Sequence, residues 1–142
     1  MKQLSKQFIY YFILLFILLT GLYLLQLYSF LAFHTIVELF SIVVAYGLFM
    51  LSWNSKEFNN NSYFVFIGIA YLFIGSIDLL HTMAYKGMNI FHGYGANLPT
   101  QFWIQARYLE ALTLLTAPFF IRKKIKESSI FIVYSTIFIL II

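Results

Sequence analysis

The chain has 142 residues, of which 62% are hydrophobic and 10% charged, and its mean hydropathy is +0.86. These values lie outside the range of soluble globular domains and predict an integral membrane protein. The lack of cysteine excludes disulfides, iron–sulfur clusters and thiolate ligands. The net charge of +4 does not indicate nucleic-acid binding, because the basic residues lie at predicted helix ends rather than on one polar face.

Apolar runs predict an all-α, polytopic transmembrane helix bundle with four complete spans and a truncated fifth. A helix needs about 20 apolar residues to cross roughly 30 Å of hydrocarbon. The predicted spans are about residues 8–25, 33–53, 63–83 and 101–121, with a partial span at 130–142. The first run is too long for a signal peptide and is followed by bulky residues instead of a cleavage site. We expect residues 1–142 to form a single membrane domain of a longer protein.

The connecting segments predict how the chain is oriented in the cell membrane. Lys and Arg are retained on the cytoplasmic side. Basic residues precede the first span and occur in the second and fourth connections: Lys2, Lys6, Lys56, Arg122, Lys123, Lys124 and Lys126. The first connection, residues 26–32, has no charge, and the third contains only Lys86. The N-terminus and a polar turn at residues 59–62 are therefore predicted to be cytoplasmic, and the glycine-rich third connection is predicted to lie outside.

Ionisable residues in the predicted spans fall within the outer half of the membrane. Charge in a spanning helix costs on the order of 2.5–3.5 kcal/mol on insertion scales, so it usually faces the bundle interior and serves a function. Helical spacing puts three pairs of these residues on common helix faces. Together they form the predicted polar layer: His34 and Glu38, Asp78 and His81, Arg107 and Glu110. Arg107 can pair with Glu110 in its own helix and with Asp78 or Glu38 across the bundle.

The third connection contributes further candidate ligand residues. Glycines here permit positive φ, and Asn97 or Thr100 can cap the fourth span, with Pro99 in its first turn. The aromatic and glycine-rich composition suits a packed cap over the bundle, although a plain connection explains it equally well. Its candidate ligand residues are Tyr85, Lys86, His92 and Tyr94.

Several kinds of ligand are compatible with the polar layer. Its acids outnumber Arg107 by enough to attract a cation or a proton. A metal ion held by His34, His81, Asp78 and Glu38 is one candidate, because imidazole and carboxylate are common metal ligands. A haem between the two histidines is another, ranked lower because each histidine has an acidic neighbour near the interface. A structural ion-pair network that fixes helix register remains an alternative without any ligand.

Two sequence blocks resemble a known family. The segments DLLHTMAYKGM and GYGANLPTQFWIQARYLE are similar to those of the membrane-associated sensor domain of the third MASE type, and the similarity extends over roughly residues 33–122. The resemblance implies a multi-pass bacterial or archaeal input module joined to a histidine kinase, a diguanylate cyclase or a related cytoplasmic output.

The resulting prediction is a membrane-embedded sensory input module, not an enzyme. It binds a ligand, metal or proton at the polar layer and relays binding through the ends of the helices at residues 122–126, with Pro118 as a candidate kink. Its expected partners are the lipid bilayer and a cytoplasmic signalling output in a longer homologue or a separate chain, and it is compatible with a homodimer. The alternatives are a small transporter or intramembrane enzyme using the same polar cluster, or a structural membrane anchor.

Overall fold

The structure of the protein is a computed structural model that describes residues 2–58 and 62–142. Residues 59–61, most of the predicted polar turn, lie outside the described residues. The described part is helical and contains no strand, which confirms the all-α class. Its five α-helices are α1 (Lys2–Tyr28), α2 (Phe30–Asn54), α3 (Tyr63–Ala84), α4 (Asn97–Thr116) and α5 (Glu127–Ile141), and its short 3₁₀ helices are Lys56–Phe58 and Ala117–Phe120.

Three of the described helices are long and apolar enough to cross a membrane. They cover Lys6–Tyr28, Phe30–Asn54 and Tyr63–Ala84. α4 carries Arg107 and Glu110 within its 20 residues, and α5 is a shorter apolar helix of 15 residues. Four complete spans and a partial fifth therefore remain a prediction beyond these three.

The first connection is much shorter than predicted. Residues 26–32 were expected outside the helices, but Ser29 alone separates α1 from α2. Helical hydrogen bonds continue on both sides, from Ser29 N to Leu25 O and from Phe33 N to Ser29 O. The Ser29 hydroxyl also accepts a hydrogen bond of 3.3 Å from Ala32 N, which serves as the cap of α2. Apolar residues such as Leu25 and Ala32 suit a helix as well as a membrane-edge loop, so their composition did not mark the boundary.

The chain divides into two compact units, Met1–Val37 and Glu38–Ile142. In the first unit, none of the described side chains is buried. The large apolar side chains of α1 are mostly exposed, for example Phe12 at 71% and Phe16 at 64%. A helix that is apolar on every side requires lipid or protein around it, so this unit suits a bilayer environment.

The core of the second unit is built around α3. The face of α3 that contains Ile69, Ile74 and Ile77 is fully buried. This face packs on α4 and α5, where Ala106 and Tyr134 are buried in turn. Because α3 contributes the largest share of buried residues, it is the helix whose polar side chains are best shielded from the surroundings.

Small residues allow α2 to approach α3 closely. A Cβ atom added at Gly68 would overlap the Ser52 side chain, with 2.5 Å to its Cβ, and one added at Gly75 would lie 3.0 Å from the Ala45 Cβ. Gly68 and Gly75 are seven residues apart and hence on one face of α3. Close packing of small residues is the usual way in which helices associate in lipid, where burial of apolar area provides little driving force.

The end of α4 that is predicted to be cytoplasmic is not a regular α-helix. α4 ends at Thr116 and continues as the 3₁₀ helix Ala117–Phe120. Pro118 lies in that segment, lacks a backbone N–H and cannot continue the α-helical hydrogen bonds. The predicted change of geometry at Pro118 is thus present as a transition from α to 3₁₀ helix.

The start of α3 is hydrogen-bonded to the segment that follows α4. Ser62 N donates to Lys123 O at 3.1 Å. Ile125 N donates to the Ser62 hydroxyl at 2.8 Å, and this hydroxyl lies 3.3 Å from Ile125 O. The connection to α5 is therefore attached to α3 as well as to α4.

The third connection, residues 85–96, contains turns with left-handed backbone. Gly87 and Gly93 adopt φ of 115° and 84°, as the glycine content predicted. α4 begins at Asn97, one residue after Ala96, which offers no capping side chain. The predicted caps at Asn97 and Thr100 are wrong, because both residues are already helical and the Thr100 hydroxyl donates to Ala96 O instead. Pro99 lies in the first turn of α4, as predicted.

Candidate functional site

Charged side chains of the second unit meet where α3 packs on α4. Arg107 Nη2 donates to Asp78 Oδ2 at 2.5 Å, and Arg107 Nη1 donates to Glu110 Oε2 at 2.6 Å. Helical spacing predicted the pair with Glu110, and depth in the membrane predicted a pair with Asp78 or Glu38. Both pairs are confirmed, so Arg107 joins an acid of α3 to an acid of its own helix.

The three members of this network differ in exposure. The side chain of Asp78 is 5% exposed, that of Glu110 23% and that of Arg107 39%. Asp78 Oδ1 is buried and accepts no hydrogen bond from the described residues. Buried polar atoms in native proteins nearly always have a partner, so Asp78 retains the capacity to accept one more hydrogen bond.

Tyr71 extends the network along α3. Its hydroxyl donates to Glu110 Oε1 at 2.9 Å, so the two oxygens of Glu110 bind Tyr71 and Arg107 separately. Tyr71 lies seven residues before Asp78, two helical turns away on the same face. α3 therefore contacts the Arg107–Glu110 ion pair of α4 at two levels, through Asp78 and through Tyr71.

His81 connects the site to α2 and to the first turn of α4. Its Nδ1 lies 2.7 Å from the Pro99 carbonyl oxygen. Its Nε2 lies 4.0 Å from Glu38 Oε1, and the two side chains are 8% and 21% exposed. A carbonyl only accepts hydrogen bonds, so Nδ1 carries a proton and Nε2 is the nitrogen directed to Glu38.

The acids of this site are close enough to act on one another. The charge of Asp78 interacts with those of Arg107, Glu38 and Glu110. Three carboxylates against one guanidinium leave an excess of negative charge when His81 is neutral. Because like charges repel strongly in a low dielectric, the arrangement favours a bound cation, a proton or a donor group.

An open groove beside Arg107 provides access to the network. It has a volume of about 330 Å³ and runs along the face of α4 that carries Trp103, Arg107 and Tyr108. Its walls are mostly apolar aromatic and aliphatic surface, with Arg107 as the charged group. The guanidinium is therefore accessible from the side of the helix, whereas Asp78 behind it is not.

The predicted ligand residues of the third connection lie in two places. Tyr85 contacts His81 edge-on, with ring centroids 6.3 Å apart. Tyr85, Lys86 and Tyr94 line a separate cavity of about 100 Å³ within the loop, and His92 is exposed. Tyr85 is thus shared between the loop cavity and the His81 ring.

His34 belongs to the first unit. Its ring stacks on that of Phe30, with centroids 6.1 Å apart and planes 9° from parallel. It lies four residues before Glu38 within α2, as the sequence predicted. Its part in a metal or haem site stays a prediction.

Two contributors to the site were not predicted from the sequence. Tyr71 could have been identified from the sequence, because it is a polar group two turns from Asp78 on the same helix face. The Pro99 carbonyl gave none, since any residue offers a backbone oxygen and only the path of the chain puts this one beside His81.

Residues 25–142 match the family model of MASE3, described as a membrane-associated sensor domain. The match covers α2 to α5 and the whole of the second unit. Neither curated proteins nor solved structures gave a match.

Proposed function

Because the chain belongs to the MASE3 family of membrane-associated sensor domains, we propose that it is a sensory input module whose ligand binds at the Asp78–Arg107–Glu110 network. Binding is relayed to a cytoplasmic signalling output of the histidine kinase or diguanylate cyclase type. The module crosses the cell membrane four times, has a partial fifth span and keeps its N-terminus in the cytoplasm.

The observation that carries the proposal is the position of Arg107 between α3 and α4. Its guanidinium is partly exposed and bonds to both Asp78 and Glu110. A ligand with a carboxylate or similar acceptor can compete for Arg107, and a donor can bind the remaining oxygen of Asp78. Either event changes the bond that joins the two helices.

Hydrogen bonds at the opposite end of α3 provide a route for the relay. Ser62 binds the backbone of Lys123 and Ile125, so a shift of α3 against α4 changes the geometry of residues 121–126. A ligand alters the output only through its different affinity for two helix arrangements. The paired and unpaired states of Arg107 are the two arrangements that this site offers.

The proposal can be tested by fusing a diguanylate cyclase reporter to the C-terminus of the complete chain, with a series of linker lengths to sample helix phase. Cyclic di-GMP is then measured in cells for wild type, Arg107→Lys and the control Leu115→Met. Lysine keeps the charge but loses the forked geometry that bonds two carboxylates. Leu115 lies in the same helix, outside the groove beside Arg107, and is 71% exposed.

We expect Arg107→Lys to change the output by about fivefold or more, the effect of a coupling free energy of about 1 kcal/mol. Leu115→Met should match wild type at equal protein level. Equal output from Arg107→Lys and wild type at every linker length would contradict a relay through this network.

A further inference from the structure

The orientation of His81 meets one condition of a metal-ligating histidine. Histidines that bind a metal through one nitrogen almost always donate the other N–H to a carboxylate or a backbone carbonyl. His81 Nδ1 meets this condition, because it lies 2.7 Å from the Pro99 carbonyl oxygen. In its neutral form the ring therefore presents the lone pair of Nε2 towards α2.

The group opposite this lone pair is a carboxylate at a suitable distance. His81 Nε2 and Glu38 Oε1 are 4.0 Å apart, which is longer than a hydrogen bond of about 2.7–3.2 Å. Two donor atoms that each lie about 2 Å from one tetrahedrally coordinated ion are roughly 3.3–3.5 Å apart. The separation is thus too long for a direct hydrogen bond and lies within about 1 Å of the spacing of two ligands on one cation.

Local charge and burial favour a cation at this position. The side chains of His81 and Glu38 are 8% and 21% exposed, and Asp78 adds a further interacting negative charge. Arg107 binds Asp78 and Glu110, so one positive charge stands against three acids. A divalent ion would offset the remaining two negative charges.

We propose that His81 Nε2 and the Glu38 carboxylate bind a divalent transition-metal ion of the Zn²⁺ class. An imidazole and a carboxylate are ligands that such ions accept readily. Two protein ligands leave coordination positions for water or for an external ligand. The ion would link α2 to α3, while the other nitrogen of His81 links α3 to the first turn of α4.

This inference rests on the proposed sensory function and adds a metal site next to the network at which the ligand is proposed to bind. A metal ion held between α2 and α3 acts beside the Arg107 network, which joins α3 to α4. Metal binding is therefore expected to order three helices at one end of the second unit, as a sensory site requires.

The test uses the complete chain in nanodiscs with Co²⁺ as a spectroscopic probe and Zn²⁺ as competitor. We expect wild type to bind Co²⁺ with visible absorption bands that Zn²⁺ removes. His81→Asn and Glu38→Gln should each weaken Co²⁺ binding by about tenfold or more, since loss even of an outer-shell partner costs that much. His92→Asn, which changes the exposed loop histidine, is the matched control and should bind as wild type does.

Thermal unfolding shows whether each variant is folded, and Glu38→Gln provides a readout if His81→Asn is not. The proposal is overturned if wild type gives no Co²⁺ bands or if His92→Asn alone abolishes them. It is also overturned if ¹⁵N spectra show both nitrogens of His81 protonated at neutral pH, which would identify an ion pair with Glu38. In the reporter fusion, a response to Arg107→Lys without any metal binding would remove this inference and leave the sensory proposal standing.

Discussion

Arg107 holds together two carboxylates that would otherwise repel each other. Its guanidinium is planar and offers several N–H groups in a fixed arrangement, so separate nitrogens can bond to Asp78 and Glu110 at once. Asp78 is nearly fully buried, and a buried acid without its cation is strongly destabilising. Part of the stability of the α3–α4 contact therefore comes from this one side chain.

We expect Arg107→Ala to lower the free energy of unfolding by roughly 2–3 kcal/mol, less than the about 3–5 kcal/mol of a fully buried pair, because the side chain is 39% exposed. Adding Asp78→Asn should restore part of the loss, since the neutral amide needs no cation. A double-mutant cycle in nanodiscs, measured by thermal unfolding, should give a coupling energy of about 1 kcal/mol or more.

Arg122→Ala is the control for this cycle, because Arg122 is an exposed arginine outside the network and such surface changes usually stay within about 0.5 kcal/mol. Additive effects of Arg107→Ala and Asp78→Asn would show that the ion pair does not contribute to the stability of the bundle.

At the level of elements, the packing of α2 on α3 depends on residues without large side chains. Gly68 faces Ser52, and Gly75 faces Ala45. The buried Ser52 hydroxyl donates to Phe49 O at 2.9 Å, so it needs no partner from α3. Gly68 thus lets α2 approach α3 closely at Ser52, whose hydroxyl is already hydrogen-bonded within α2.

Gly68→Ala should destabilise the protein by about 1–3 kcal/mol, because the added Cβ has to displace Ser52. Ser52→Gly should relieve most of this cost when combined with Gly68→Ala. Gly47→Ala in α2 is the matched control, since a Cβ there meets nothing within 4 Å and alanine favours a helix by roughly 0.5–1 kcal/mol. Unfolding in detergent distinguishes the two sites, and equal stability of Gly68→Ala and Gly47→Ala would exclude close packing at Gly68.

Apolar runs and helical spacing predicted the elements better than their ends. α3 was expected at residues 63–83 and covers Tyr63–Ala84, because turn-forming residues bound it on both sides. The start of α2 was missed, since nothing in an apolar segment distinguishes helix from a membrane-edge loop. α4 starts at Asn97 rather than at residue 101, because Pro99 is compatible with a first turn and extends the helix into the loop.

The site was predictable where it depends on spacing within one helix. Arg107 and Glu110 are one turn apart, and their bond follows from that spacing. The contact of Asp78 with Arg107 required an estimate of membrane depth, which left Asp78 and Glu38 as alternative partners. The bond of His81 to Pro99 O depends on the path of the third connection, which local sequence does not determine.

At the level of the whole molecule, the distribution of basic residues decides orientation. Arg122, Lys123, Lys124 and Lys126 follow the 3₁₀ helix after α4, and Lys56 lies just after α2, with its ammonium 3.6 Å from the centre of the Trp53 ring. Cationic groups and tryptophan are both typical of the membrane–water interface. These two segments are therefore expected on the same, cytoplasmic side.

The single residue between α1 and α2 makes Ser29 the most informative position for testing orientation. If both helices cross the membrane, the chain has to reverse in the segment around Ser29, and this segment must lie on the side opposite to Lys56 and Lys126. We expect a reporter active only outside the cytoplasm to work when fused after Ser29 or near Asn89, and a reporter active only inside to work after Lys56 or Lys126. Using both reporters at each position provides the control for expression. If the Ser29 and Lys56 fusions report the same side, α2 does not cross the membrane, and the predicted outer position of Glu38 and His81 fails with it.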